Sequence, residues 1–179
     1  HKKKLNIISV GRLTEQKNHI TQLKAIKYIK KKYNPCLTII GKGYKEEYLQ
    51  SYIKANNIQK NVKLIGYKKN PFPYIIKSDI LILSSKFEGL PNILLEAQYL
   101  KKYVISSNCS SGPKEILLNG KAGDLFKSND YKGLAYKINY YCENKNRFKK
   151  KILLGYKNLH RFDYKKNCQK YYEILNNFF

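Results

Sequence analysis

Short apolar runs alternate with amphipathic helical segments along almost the whole of this 179-residue chain. The apolar runs predict strands at residues 5–10, 36–40, 62–65, 79–83, 103–106 and 124–126. Apolar residues at helical spacing predict helices at residues 18–32, 44–56, 72–77, 92–100, 112–118, 131–143, 147–155 and 164–177. Strands that alternate with helices through short connections form a parallel sheet with helices on both faces. We therefore predict an α/β fold with a doubly wound parallel sheet, and a single domain over residues 1–179.

The chain is strongly basic, with 36 lysines and arginines against 12 acidic residues and a formal net charge of +24. Such a charge raises the hypothesis of a basic module that binds nucleic acid. However, only Arg12, Arg147 and Arg161 are arginines, and base and phosphate readers favour the bidentate guanidinium. We therefore predict no nucleic-acid partner, and assign part of the surplus charge to peripheral contact with an anionic membrane surface.

The four cysteines, Cys36, Cys109, Cys142 and Cys168, are widely spaced and include no Cys-x-x-Cys pair. This pattern favours reduced thiols in a cytoplasmic protein over a disulfide or a metal site. No apolar run approaches the roughly 20 residues that a membrane-spanning helix needs. We therefore expect a cytoplasmic protein that works at the inner face of the cell membrane.

Two glutamates, Glu88 and Glu96, lie in the segment that follows the predicted strand at residues 79–83. A Gly-Leu-Pro turn at residues 89–91 separates that strand from the next helix, so Glu88 falls in the loop and Glu96 about one turn into the helix. In an open α/β sheet, ligands bind at the carboxyl ends of the strands, and a helix start there favours a phosphate. Two carboxylates suit such a site if they accept hydrogen bonds from hydroxyl groups, which sugars carry in number.

The Glu-x7-Glu segment resembles the signature of retaining glycosyltransferases with the GT-B fold, in the large family 4 group. Further segments at residues 9–18, 40–43, 62–66, 78–79 and 111–120 resemble the same family in order and spacing. The resemblance implies that the chain is the C-terminal, Rossmann-like donor-binding half of such an enzyme. It also implies an N-terminal acceptor-binding domain that this chain lacks, without which we expect the chain to be inactive.

The same resemblance implies roles for the residues that follow the first strand. Arg12 and Lys17 would hold the diphosphate of a nucleotide-sugar and stabilise it as it leaves, and we assign both as catalytic. Gly11 would let the backbone approach the phosphates, with a plain turn as the alternative.

A second set of donor-binding roles falls on the later loops. By resemblance, Glu88 lies beside the transferred sugar as a third catalytic residue, and Glu96 binds the ribose hydroxyls. For either glutamate, a helix-capping role is the alternative. The loop residues Gly89, Leu90, Pro91 and Asn92 would contact sugar or phosphate, unless Asn92 caps the helix. Tyr67, at the end of the third strand, would either stack on the nucleobase or pack internally.

Other polar residues receive structural interpretations. Gly41 and Gly43 are predicted to form a tight turn and Asp79 to cap a strand. Glu115 is predicted to order its loop, with an indirect contact to the ligand as the alternative. Neither His19 nor His160 is assigned as a base; each is expected to be solvated or hydrogen-bonded. Asp-x-Asp and metal-ligand spacings are absent from the sequence, so we predict no metal and no cofactor.

The expected activity is metal-independent hexosyl transfer with retention, from a UDP-sugar in preference to a GDP-sugar. The expected acceptor is a lipid-linked or glycan molecule in bacterial surface glycan biosynthesis, bound through the absent N-terminal domain. The alternative is a non-catalytic basic module that binds a nucleotide-sugar or nucleic acid.

Overall fold

A computed structural model of the chain describes residues 4–176. Within this part of the chain, six parallel strands form one sheet in the order β3-β2-β1-β4-β5-β6. The strands are β1 Leu5–Val10, β2 Pro35–Ile40, β3 Val62–Leu64, β4 Ile80–Leu83, β5 Tyr103–Ser107 and β6 Asp124–Phe126. The helices are α1 His19–Ile26, α2 Glu46–Ala55, α3 Phe72–Ile76, α4 Asn92–Tyr99, α5 Pro113–Ile116, α6 Tyr131–Glu143, α7 Lys145–Lys157 and α8 Tyr164–Asn176. The predicted doubly wound α/β fold is confirmed.

The strands form because their apolar runs are buried on both faces of the sheet. Successive residues of a strand point to opposite faces. Accordingly, Ile7 packs in one core with α1, α2 and α6, whereas Ile8 packs in a second core with α4. Continuous apolar runs therefore specify central strands with helices on either side, as the sequence predicts.

The strand order reverses between β1 and β4. From β1 the chain moves outward through β2 and β3, then returns to β4 on the other side of β1 and continues to β5 and β6. The β1–β4 ladder includes only the pairs Ile7↔Ile80 and Ile8↔Leu81. The loops after β1 and β4 therefore leave the sheet in opposite directions and open a crevice between them, which is where ligands bind in sheets of this type.

The first helix is shorter than predicted, ending at Ile26 instead of residue 32. The residues that follow the helix bond to α6 instead: the Asn139 amide donates to the carbonyl of Tyr28 at 3.1 Å and accepts from the N–H of Lys30 at 2.9 Å. A 3₁₀ turn at Lys31–Tyr33 then leads to Asn34, whose φ of 46° is left-handed, and into β2. A contact across more than 100 residues thus overrides the local helical pattern.

The remaining predicted bounds agree with the structure to within a few residues. The predicted helix at 147–155 begins earlier, at Lys145, and ends at Lys157. The predicted end of the last helix, Asn177, lies outside the described residues.

Candidate functional site

The loops after β1 and β4 are joined to each other across the crevice. The N–H of Lys86 donates to the carbonyl of Gln16 at 2.8 Å, and the Gln16 side-chain amide donates to the carbonyl of Phe87 at 3.1 Å. Glu15 adds ion pairs to Lys86 and, at 3.1 Å, to Lys45. These contacts join the two loops, and they bring Lys17 of the first loop to Glu88 of the second.

Lys17 and Glu88 form an ion pair at the centre of this surface. The Lys17 Nζ lies 2.6 Å from Glu88 Oε1, and the two side chains are only 17% and 7% exposed. The Ser85 hydroxyl donates to the same carboxylate oxygen at 2.5 Å. Among the described residues, the recorded side-chain bonds of Glu88 all fall on Oε1, so the other oxygen is available to accept from a hydroxyl group.

The backbone around Glu88 is held by the loop that follows β5. The Ser111 hydroxyl donates to the Glu88 carbonyl. Gly112 has a φ of 69°, and a Cβ there would lie 1.9 Å from the Gly89 carbonyl oxygen. Only glycine allows this approach, so the loop after β5 determines the backbone path of residues 88–91. Within that segment Gly89 and Leu90 are exposed, whereas Pro91 is buried.

The start of α4 faces the same crevice edge. The Ncap position is Pro91, and no side chain caps the helix. Asn92 is thus the exposed first residue of the helix and not its cap, so the capping alternative for Asn92 is wrong. The first N–H groups of a helix lack intrahelical partners and attract anions, so this helix start can contribute to binding a phosphate.

Gly11, Gly41 and Gly66 lie side by side at the ends of β1, β2 and β3. The Gly11 N–H donates to the Ile40 carbonyl at 2.9 Å, and the Gly41 N–H donates to the Gly66 carbonyl at 3.0 Å. A Cβ on Gly41 would meet the Gly11 oxygen at 1.9 Å, and one on Gly43 would meet the Leu13 oxygen at 2.4 Å. The tight-turn interpretation of Gly41 and Gly43 therefore fits, since both glycines serve loop packing.

Arg12 and Tyr67 are both exposed at this edge. Arg12 follows Gly11 directly, and no ion pair of its guanidinium is recorded among residues 4–176. Tyr67 is 66% exposed, so it does not pack internally and its ring is accessible for stacking.

Glu96 is half-buried on α4, one turn from the helix start, and burial raises the pKa of its carboxyl group. It borders a groove of about 350 Å³ that is otherwise apolar, lined by Phe72, Leu95, Tyr99 and Leu100 and by Leu159 and Phe162 of the 3₁₀ turn at Asn158–Phe162, which follows α7. A carboxylate at the edge of an apolar groove suits a ligand with hydroxyls on one side and a flat apolar body on the other.

The structural interpretations of Asp79 and Glu115 are supported. Asp79 Oδ2 accepts from the Asn6 N–H at 2.9 Å, which caps the start of β4 against β1. Glu115 is exposed and lies 3.6 Å from Arg161, so it ties its loop to the C-terminal region.

The two histidines differ from each other. His160 is exposed, with Nδ1 2.8 Å from the Lys157 carbonyl. His19 is 3% exposed, and burial lowers its pKa to about 4, so it is neutral at physiological pH. As expected, His19 is hydrogen-bonded: its Nδ1 lies 3.4 Å from the Ser9 hydroxyl, while its Nε2 has no partner within the described residues.

Sequence reasoning did not assign Gln16, Ser85, Ser111 or Gly112 to the site. Ser85 lies three residues before Glu88, and the Ser84-Ser85 pair at the end of a buried strand was the available signal for it; Ser111 and Gly112 had no comparable signal. In the described part of the chain, no cluster of three His, Cys, Asp or Glu side chains could hold a metal ion. The helices of residues 4–176 include none that is both long and apolar enough to cross a membrane.

Comparison with known proteins identifies the family. The model of the family described as "Glycosyl transferases group 1" matches residues 1–169. The chain belongs to this family. Its sheet and helices also superpose on the Anabaena protein HepE, solved in complex with UDP, with a TM-score of 0.87 at 19% identity over 97% of this chain and 49% of that one. At this identity the superposition shows the fold alone, and that fold is the C-terminal half of the GT-B type.

Two curated relatives are informative. An uncharacterized glycosyltransferase of Methanocaldococcus jannaschii is 44% identical over 111 residues, which is 62% of this chain and 27% of the relative. An N-acetylgalactosaminyltransferase of Campylobacter jejuni that acts on a diphospho-undecaprenol-linked sugar is 34% identical over 119 residues, 66% of this chain and 32% of the relative. Other bacterial relatives are named for capsular polysaccharide and lipopolysaccharide biosynthesis, in Staphylococcus aureus and Escherichia coli. The chain spans about a third of the length of the curated relatives that it matches.

Proposed function

We propose that this chain is the donor-binding half of a retaining glycosyltransferase that uses a nucleoside-diphosphate sugar, UDP-linked in preference to GDP-linked. The observation that carries the proposal is the pair Lys17–Glu88 at the switch point between β1 and β4, 2.6 Å apart and beside the start of α4. A cation and a helix start favour a diphosphate, and an adjacent carboxylate favours sugar hydroxyls. The UDP bound to the HepE neighbour supports the choice of nucleotide.

In the proposed reaction, an acceptor hydroxyl attacks the anomeric carbon while the bond from that carbon to the diphosphate breaks. The new glycosidic bond forms on the face from which the diphosphate leaves, and the acceptor proton passes to the departing phosphate oxygen. Lys17, with Arg12, stabilises the charge that develops on the diphosphate, which is the dominant electrostatic contribution in such a step. Glu88 and the Gly89–Leu90 backbone orient the sugar, and Glu96 accepts from the ribose hydroxyls. These side chains replace the metal ion that would otherwise neutralise the diphosphate, and no cofactor takes part.

The acceptor half lies outside this chain in the proposal. The relatives extend well beyond the matched region, which covers 27% and 32% of their lengths. We infer a lipid-linked or glycan acceptor of cell-surface glycan assembly, because the Campylobacter relative acts on a diphospho-undecaprenol-linked sugar. Transfer would therefore require the N-terminal half, whereas nucleotide binding would not.

The test is calorimetric titration of this chain with UDP, GDP and inorganic phosphate. We expect UDP to bind most tightly, and Lys17→Ala to weaken UDP binding about tenfold, because it removes a charge-assisted contact. Glu96→Ala should weaken UDP binding to a similar degree without unfolding the chain. A matched control is Lys30→Ala, which removes a lysine paired with Glu143 at 2.5 Å far from the crevice. Equal effects of Lys17→Ala and Lys30→Ala on UDP affinity would refute the proposed site.

The net charge of +24 favours one alternative, a basic module that binds a polyanion. Such a module should prefer RNA to UDP, with an affinity that falls steeply as salt rises. Tighter binding of a random RNA than of UDP at physiological salt, unaffected by Glu96→Ala, would favour this alternative.

A further inference from the structure

A network of buried polar side chains lies directly beneath the crevice. Ser9 at the end of β1, Gln22 on α1 and Ser84 just after β4 are all 2% exposed or less. The Gln22 side-chain amide donates to the Ser9 hydroxyl at 2.9 Å and to the Ser84 hydroxyl at 2.8 Å. His19 Nδ1 lies 3.4 Å from the same Ser9 oxygen. A polar network in a core that is otherwise aliphatic calls for an explanation, since buried polar groups are costly unless they are paired.

The network occupies the place where the sheet itself divides. The β1–β4 ladder stops at Ile8↔Leu81, one residue before Ser9 and three before Ser84. Beyond that point the two strands share no backbone pairing, and the Gln22 amide bridges them instead through two hydroxyls. The bridge therefore sets the separation of the strand ends from which the Lys17 loop and the Glu88 loop depart.

The far end of the network reaches the backbone of Lys17 itself. The Ser84 hydroxyl lies 2.9 Å from the Lys17 carbonyl oxygen and 3.0 Å from the Asn18 carbonyl oxygen. The two carbonyls converge because Asn18 adopts a left-handed conformation with φ of 51°. The hydroxyl donates to this pair and accepts from Gln22. Ser84 thereby fixes the backbone from which the Lys17 side chain extends toward Glu88.

We propose that Gln22, acting through Ser84, is a positioning residue for Lys17 and so for the diphosphate that Lys17 binds. The inference rests on the proposed function, because it concerns the same site. Gln22 does not contact the ligand. Through Ser84, it fixes the distance between the Lys17 carbonyl and the end of β4, where the loop that carries Ser85 and Glu88 begins. Loss of this bridge leaves the ammonium group present but misplaced, and small misplacements of a binding group are costly.

The test compares Gln22→Leu with Gln98→Leu by titration with UDP and with uridine, and by thermal unfolding. Gln98 is an equally buried glutamine on α4 whose amide donates to the Ala122 carbonyl at 3.3 Å, away from both loops. We expect both variants to lose stability, and only Gln22→Leu to weaken UDP binding, by about fivefold to tenfold. Uridine binding should change little, because uridine lacks the diphosphate.

A second comparison shows whether the effect acts through Lys17. In a Lys17→Ala background, Gln22→Leu should cause no further loss of UDP affinity, since interacting residues are not additive. Should Gln22→Leu fail to fold, Ser84→Ala replaces it and is expected to give the same pattern. A Gln22→Leu effect that is equal on UDP and uridine, that matches Gln98→Leu, or that persists in the Lys17→Ala background would overturn the positioning role. If Lys17→Ala itself leaves UDP affinity unchanged, the proposed diphosphate site is refuted. That outcome is distinct from refutation of the positioning role of Gln22.

Discussion

Replacing Glu88 with glutamine separates the hydrogen bonding of this side chain from its negative charge. The substitution keeps the shape of the side chain and the oxygen that accepts from Ser85, but removes the charge opposite Lys17. Because Glu88 is 7% exposed and Lys17 17%, this pair is more buried than a surface ion pair. Breaking a fully buried pair costs about 3–5 kcal/mol, and the partial exposure of Lys17 lowers this to about 1–3 kcal/mol. For a chain of this length, the melting temperature should fall by about 2–4 °C per kcal/mol.

The effect on nucleotide affinity has the opposite sign. Glu88 and a diphosphate compete for the same ammonium group, and a phosphate bonded to Lys17 would lie about 5–6 Å from the carboxylate. At that distance the repulsion is about 3 kcal/mol at an effective dielectric constant near 20 and about 1 kcal/mol at that of water, and the Lys17 ammonium group between the two anions favours the lower value. Glu88→Gln should therefore bind UDP about fivefold more tightly while the complete enzyme loses about 100-fold in transfer rate.

The assay is calorimetric titration with UDP together with thermal unfolding of the same samples. Glu143→Gln is the matched control: it removes the carboxylate of the more exposed Lys30–Glu143 pair and should leave UDP affinity unchanged. If Glu88→Gln weakens UDP binding as Lys17→Ala does, then Glu88 supports the diphosphate site and does not compete with it, and the assignment of Glu88 to the sugar is wrong.

Three further predictions concern Gly112, Glu96 and the net charge. Gly112→Ala should lower the free energy of unfolding, measured by chemical denaturation, by about 2–4 kcal/mol, because the new Cβ would lie 1.9 Å from the Gly89 oxygen. Gly66 has the same φ of 69° but open space around it, so Gly66→Ala is the control and should cost only about 1 kcal/mol of strain. Burial raises the pKa of Glu96, and its ionised form accepts hydrogen bonds from hydroxyls more strongly than the neutral acid, so UDP affinity should fall on acidification at a pH above the usual glutamate range. Glu96→Gln should remove that part of the pH dependence, and a profile identical to wild type would contradict the role of Glu96. The charge of +24 predicts that the chain co-sediments with vesicles containing phosphatidylglycerol but not with phosphatidylcholine vesicles. Salt at 0.5 M, where the Debye length is about 4 Å, should abolish this binding. Binding that does not depend on salt would contradict the prediction.

The sheet was predictable because its strands are specified locally. Runs such as residues 80–83 bury every side chain on one face or the other, and no distant contact is needed to identify them. The end of the first helix was not predictable, because it depends on the amide of Asn139 in α6. Local patterns thus give the elements, whereas their ends depend on which distant side chain competes for the last backbone groups.

The same division holds for the candidate site. Both loops follow parallel strands, so the approach of Lys17 to Glu88 at one sheet edge follows from the order of elements alone. Their direct contact, across 71 residues of sequence, does not. Nor do the contributions of Ser111 and Gly112, which act on the backbone of Glu88 and Gly89 and leave no pattern in the sequence that distinguishes them from an ordinary loop.

Gln22 shows why such supporting residues escape sequence reasoning. By helical spacing it lies on the buried face of α1, with Leu23 and Ile26 on one side and Ala25 and Thr21 on the other, where an apolar residue is the local expectation. The amide is retained in this position because the β1–β4 ladder ends beneath the crevice and leaves two hydroxyls facing each other. The topology that opens a ligand crevice at a switch point also removes the backbone bonds that would hold its two walls, and a buried polar side chain is the physical means of replacing them.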